Sequence, residues 1–288
     1  MTKTLREKGI KGLFLVSALF SMAALATITV FLLISGIPFI AHTGVAEFLL
    51  GRRWAILESP PSYGILPMIV ATLYVTALSV ILGTILGLFT SVCLFAFCPK
   101  KLVLPLRQLI NLLAGIPSVI FGLFGMTTIV PLLRDYVSPN GVGYGILAAS
   151  LVLAVMILPT VVSVSLDSLS AVPKSYYEGA LALGATKEAV FGIVLPAAKN
   201  GITAGIVLAM GRALGETMAV MLVIGGSPEI PGSLFQSVRT LTANIAMGAM
   251  ELKDDALSAL IASGVVLFVF ALLLNISFSA LRCGKKKG

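Results

Sequence analysis

The sequence predicts an all-α integral membrane protein with six transmembrane helices, and three observations carry that reading. Of 288 residues, 58% are hydrophobic and 11% charged, whereas a soluble domain carries about 25% charged residues. Six apolar stretches lie near 12–35, 67–97, 109–133, 144–165, 201–225 and 257–281, each close to the roughly 20 residues that span a bilayer. The basic residues are also lopsided. Fourteen of the 20 Lys and Arg precede span 1, follow span 6, or lie between spans 2 and 3 or spans 4 and 5. Five lie in the other loops and Arg212 alone lies inside a span. Basic loops face the cytoplasm, so both termini are expected there.

These boundaries divide the chain into a cytoplasmic N-terminal tail (1–11), a first transmembrane helix (12–40) and a periplasmic loop (41–66). A core of five further helices follows (67–281), with a cytoplasmic loop at 166–200, a periplasmic loop at 226–256 and a basic tail at 282–288. The net charge of +8 flanks the spans rather than gathering on one soluble face. Lipid is therefore the expected partner and nucleic acid is not.

Span 1 is too long for a cleaved signal core and has no convincing small-residue cleavage site before His42, so it reads as retained. His42 is the only histidine, and a metal site would need more ligands than it has near it. No metal is expected. Trp54, beside Arg52 and Arg53, reads as an interface anchor. Pro67 suits the first turn of span 2. Cys93, Cys98 and Cys283 lie in spans or at their cytoplasmic ends, so they imply no disulfide framework.

Pro117 falls inside span 3 and bends or breaks it. A broken helix can line a pathway; a tolerated kink is the simpler reading. Glycines four apart, at Gly83/Gly87, Gly201/Gly205 and Gly211/Gly215, let helix backbones approach in lipid. In the outer loop, Leu234, Val238, Leu241 and Ile245 have helical spacing and predict a short helix in the outer mouth or against the spans.

Loop 166–200 reads as helix, turn, helix. Pro173 starts the first helix, and Gly184 suits a left-handed C′ position. Thr186 caps the second helix, Glu188 lies in its first turn, and Pro196 leads into span 5. Such a loop projects rigidly and can carry force.

Span 5 holds the two charges that most need explaining. Arg212 and Glu216 are four apart and share a helix face. An uncompensated Arg at the bilayer centre costs about 2.5–3.5 kcal/mol on an insertion scale. One reading is a structural ion pair locking span 5 to a neighbour. The other is a transport role, in which Arg212 offers a cationic fork to an anion and Glu216 holds Arg212 when the pathway is empty. A gate that breaks on opening is a variant of the second.

No nucleophile, base and orienter set is visible. Gly179 and Gly184 have the spacing of a phosphate-binding loop, but Ala185-Thr186 follows where Lys-Ser/Thr is needed. The chain is therefore expected not to be an enzyme and to need no cofactor.

Glu178-Gly179-Ala180, then Gly184, then Ile193-Val194-Leu195-Pro196 resembles the EAA motif of ABC importer permeases. That family reads Glu-Ala-Ala, three residues, Gly, nine residues, Ile, one residue, Leu-Pro. Here Gly179 replaces the first Ala, and eight residues separate Gly184 from Ile193. The missing residue turns the second helix by about 100° relative to the first. "AGIPSVIFGLFG" (114–125), "LGATKEAVFGIVLPAAKNGI" (183–202) and "GRALGETMAVMLVIG" (211–225) are similar to permeases of the phosphate-specific PstC type, with a looser likeness to the PstA type through span 5.

The resemblance implies a type I, MetI-like importer permease fold in a bacterial or archaeal cytoplasmic membrane. It implies a PstA-like second permease, a PstB-like ATPase dimer that binds ATP and Mg, a PstS-like periplasmic binding protein, and phosphate as cargo. It further implies that Glu178, Gly179, Ala180 and Gly184 contact the ATPase, and it favours a transport or gating role for Arg212 and Glu216. Three alternatives stay open: a PstA-type subunit, a permease for molybdate, sulfate or phosphonate, and a secondary anion transporter. The last is disfavoured because no convincing internal repeat is present.

Overall fold

In the computed structural model the backbone is described for residues 2–56, 58–249 and 254–284, and side chains for 10–56, 58–186, 192–249 and 255–277. Six helical segments among them are long and apolar enough to cross a membrane: Ile10–Thr43, Leu66–Phe97, Ser118–Tyr136, Ile146–Ser170, Gly192–Gly215 and Asp255–Ser277. Chain order gives α1 (Thr2–Thr43), a short α2 (Val45–Leu50) and a two-stranded hairpin, β1 (Trp54–Ala55) and β2 (Ser62–Tyr63). Helices α3 (Leu66–Val92), α4 (Lys100–Gly115), α5 (Ser118–Phe124), α6 (Val130–Tyr136) and α7 (Ile146–Ser170) follow. The remainder is α8 (Lys174–Ala182), α9 (Lys187–Gly215), α10 (Met218–Val223), α11 (Leu241–Gly248) and α12 (Asp254–Gly284).

The core is built around α7. Its side chains at Ile146, Ala149, Leu153, Ile157 and Val161 are all at most 1% exposed. In lipid the hydrophobic effect does not drive helices together, so close packing must. The glycine pairs do this unevenly. A Cβ on Gly83 would strike Ile157, and one on Gly87 would strike Val161, so α3 lies tight on α7. Gly201 faces Ser168 and Gly205 faces Val164, which seats α9 on the other side of α7. Gly211 and Gly215 face open space instead.

Two of the expected spans are corrected by breaks. Span 3 does not begin at 109. Pro117 interrupts it, with Ile116 extended at φ −74° and ψ 129°, because the residue before a proline is driven out of the α region. The preceding α4 is a separate amphipathic helix with no buried residue. It is tied to α7 by an Arg107–Asp167 ion pair of 2.6 Å and a hydrogen bond of 2.8 Å from Ser163 to Asn111. Span 5 ends at Gly215 rather than near 225, and α10 starts afresh at Met218. The two outer half-helices, α5 and α10, then pack on each other. A Cβ on Gly122 would lie 3.0 Å from Ala219 Cα.

The outer loops are more ordered than their sequence suggests. Trp54 is buried with Phe48 and Ile65, and its ring meets Tyr63 edge-on at 6.5 Å. It is a packing residue of the hairpin rather than an exposed anchor. The helix expected from Leu234 onward is confined to α11, where Thr240 Oγ1 accepts the Ala243 N–H at 3.3 Å and caps the first turn.

Candidate functional site

Loop 166–200 has the expected helix, turn and helix. Gly184 adopts φ +85°. Its N–H donates to the Leu181 carbonyl and the Ala185 N–H to the Ala180 carbonyl, both at 3.0 Å. This is a Schellman termination, which satisfies carbonyls left open at the end of α8. The second helix is not a separate piece. It runs through Pro196 and is the start of α9 itself. The proline removes only the bond to the Gly192 carbonyl, and the apolar face of Val194, Ala198 and Ile202 continues past it into a cluster with Leu169. Thr186 sits just before α9, at the expected cap position, and the side chain of Glu188 lies outside the described residues.

Four of the site residues expected from the sequence lie here. Glu178, Gly179 and Gly184 are exposed. Ala180 is 6% exposed and belongs to the Val194–Ala198–Ile202 cluster, so it anchors α8 from within rather than presenting a surface. Leu183, which the sequence reading passed over, is 91% exposed at the tip of the loop. Its position beside a left-handed glycine was the available clue.

The other two, Arg212 and Glu216, are both half-buried near the far end of α9. The helix ends between them, so the shared helical face is lost at Glu216. Arg212 and Glu216 form no ion pair with each other. Among the described residues the ion pairs are Arg53–Glu58, Arg107–Asp167 and Arg134–Asp135. The Glu216 carboxylate turns forward instead and accepts the Ala219 N–H at 3.2 Å, in the first turn of α10. The Glu216 carbonyl accepts Thr242 Oγ1–H from α11 at 3.1 Å. Glu216 thus stitches the break between α9 and α10, and Thr242, unremarked in the sequence reading, ties that break to the outer loop.

Arg212 lines an open groove of about 540 Å³ with Thr160, Val207, Leu208, Gly211 and Asn275. Within the chain this groove lies between α7, α9 and α12. Gly211, which lines the groove, and Gly215, four residues on, would meet no atom of this chain within 4 Å at an added Cβ.

Residues 83–282 match the family described as binding-protein-dependent transport system inner membrane component. The chain belongs to this family. It is a permease subunit of an ABC importer, a multi-pass membrane component and not itself the catalyst of ATP hydrolysis. The permease is 37% identical over 271 residues to a probable ABC transporter permease protein, YqgH, of Bacillus subtilis, covering 92% of this chain and 87% of that one. It is 33% identical to the phosphate transport system permease protein PstC of Mesorhizobium japonicum, covering 93% and 90% respectively. Its fold matches a chain of the MetNI methionine ABC transporter in inward-facing conformations, with a TM-score of 0.60 and 19% identity, over 76% of the permease and 95% of that chain.

Proposed function

We propose that this permease is the PstC-type half of an ATP-driven importer of inorganic phosphate. It would form the pathway with a PstA-like permease, above a PstB-like ATPase dimer and beneath a PstS-like binding protein. The termini and the α8 loop face the cytoplasm, as the charge bias suggests.

The observation that carries the reading is the groove around Arg212. A fixed cation stands on a membrane helix, without a hydrogen bond or ion pair to another described residue, on a surface that this chain leaves open. An unshielded charge there is costly unless it faces protein or water. A second permease closing over the strip of Gly211 and Gly215 supplies that environment. The groove becomes a shared channel in which Arg212 meets the anion. Glu216 acts on the pathway by holding the α9–α10 break. Glu178, Gly179, Gly184 and Leu183 form the ATPase-facing surface, with Ala180 as its anchor.

The decisive measurement is ATP hydrolysis by the reconstituted complex with its binding protein, titrated with phosphate, sulfate and molybdate in turn. Phosphate is expected to stimulate hydrolysis. Stimulation by another of these anions and not by phosphate overturns the cargo assignment. Phosphate uptake that persists with a catalytically dead ATPase overturns the ATP-driven mechanism.

A further inference from the structure

The groove around Arg212 is not lined by that cation alone. Thr160 of α7 and Asn275 of α12 share it, among the apolar side chains of Val207 and Leu208. Polar side chains on membrane helices are costly and tend to face a protein interior or a wet pathway. Three of them, one from each wall, therefore call for a common purpose.

Their hydrogen-bonding capacities differ. Asn275 Nδ2 donates to the Ala271 carbonyl at 2.9 Å, one turn back on α12. This fixes the orientation of the amide, since the reverse would set two oxygens together. The end not tied to the helix is Oδ1, which can only accept. Thr72, Thr90 and Thr203 each donate to the carbonyl four residues back. Thr160 makes no such bond among the described residues, so its hydroxyl proton is left for the groove. Arg212 can only donate. Donors on α7 and α9 thus share one open space with an acceptor on α12.

That combination suits one class of tetrahedral anion. At neutral pH inorganic phosphate keeps at least one P–OH beside its charged oxygens, and arsenate keeps an As–OH. Sulfate and molybdate carry no such proton. We infer that Asn275 is a specificity-determining residue for phosphate: its Oδ1 accepts the P–OH, while the Arg212 guanidinium and the Thr160 hydroxyl donate to the charged oxygens. An anion without the proton sets an oxygen against Oδ1 and leaves the acceptor unpaired. Sites built to hydrogen-bond a substrate OH reject analogues that lack it for this reason. The inference rests on the proposed phosphate function and adds to it a choice among oxyanions made by the permease itself.

A binding protein would mask this choice, so the test leaves it out. Radiolabelled phosphate would be bound at equilibrium to the nucleotide-free complex in nanodiscs, at neutral pH and constant ionic strength, and displaced by arsenate or sulfate. Saturable binding that is lost in Arg212→Gln is expected. Arsenate should displace phosphate about as well as unlabelled phosphate does. Sulfate should need about tenfold more or above, the scale of one hydrogen bond to a charged group. Asn275→Leu keeps a branched side chain but removes the acceptor. It should bring sulfate and phosphate close together while binding that depends on Arg212 persists. Sulfate displacing as well as arsenate in the wild type, or an unchanged preference in Asn275→Leu, overturns the role of Asn275 alone. So does an Asn275→Leu complex that assembles but binds no anion, which is what a merely structural part would give, and so does a wild-type complex that imports phosphate but shows no binding dependent on Arg212. A wild-type complex that does not import phosphate when given ATP and its binding protein overturns the function on which the inference rests.

Discussion

Arg212 and Glu216, two charges in one apolar run, sit on either side of a helix end. Spacing of four implies a shared face only while the helix continues, and nothing at Thr217 announces that it stops. With α9 ended at Gly215, the Glu216 carboxylate serves the Ala219 N–H and leaves Arg212 to the groove. The two side chains should therefore fail differently. Arg212→Gln is expected to lower ATP-driven phosphate uptake about tenfold or more, as for loss of a charge-assisted contact of about 1.5–3 kcal/mol, with the complex still assembled. Glu216→Gln keeps an oxygen for Ala219 and should cost less than Arg212→Gln when uptake is measured side by side. Equal losses would mean that the pair acts as one unit. Trp54 shows the same limit of sequence reading. Its partner Tyr63 arrives through a hairpin whose short strands leave almost no periodic pattern, and Phe48 comes from the short α2.

At the scale of elements, membrane spans were easy to see because about 20 apolar residues in a row have few other uses. Their interruptions were harder. Leu109 and Leu112 extended the apparent third span because α4 is amphipathic and its apolar face runs directly into α5, yet both leucines remain exposed on this chain. Pro196 looked like a boundary and is not one, so α9 is a single rod. From Lys187 to Arg212 it is about 38 Å long at 1.5 Å per residue, which lets motion of the α8 loop reach the groove without a joint. The rod must be held at its base. Gly184→Trp places a bulky residue at φ +85°, in a backbone region that costs about 1–2 kcal/mol for residues with a Cβ. Together with Glu178→Lys, this substitution is expected to release the ATPase from the permeases. Unchanged co-purification and unchanged coupling of hydrolysis to uptake would refute that role for the loop. The glycines against α7 make a different prediction. Gly87→Leu would collide with Val161 and cost about 1–3 kcal/mol of packing, whereas Gly211→Leu, facing open space in this chain, should leave the isolated fold intact and disturb only assembly with a second permease. Thermal unfolding and co-purification distinguish the two.

For the whole molecule, parity and charge together set direction. An even number of spans returns the chain to the side on which it began, and the lopsided Lys and Arg then choose that side. The choice has consequences beyond topology. If the α8 loop faces the cytoplasm, the ATPase lies where ATP is, and the outer loop that carries α11 faces the binding protein. If it faces outward, both assignments fail together. Two exposed loop positions separate these cases: Asn140, between α6 and α7, and Lys174, at the start of α8. In a background with Cys93, Cys98 and Cys283 replaced, Asn140→Cys is expected to react with a membrane-impermeant maleimide in intact cells. Lys174→Cys is expected to react only after the membrane is opened. The opposite pattern would invert the molecule and remove the basis for import through Arg212. Reaction of both positions in intact cells would show instead that the segment from α6 to α8 does not cross the bilayer an odd number of times, against the placement of α7 as a span.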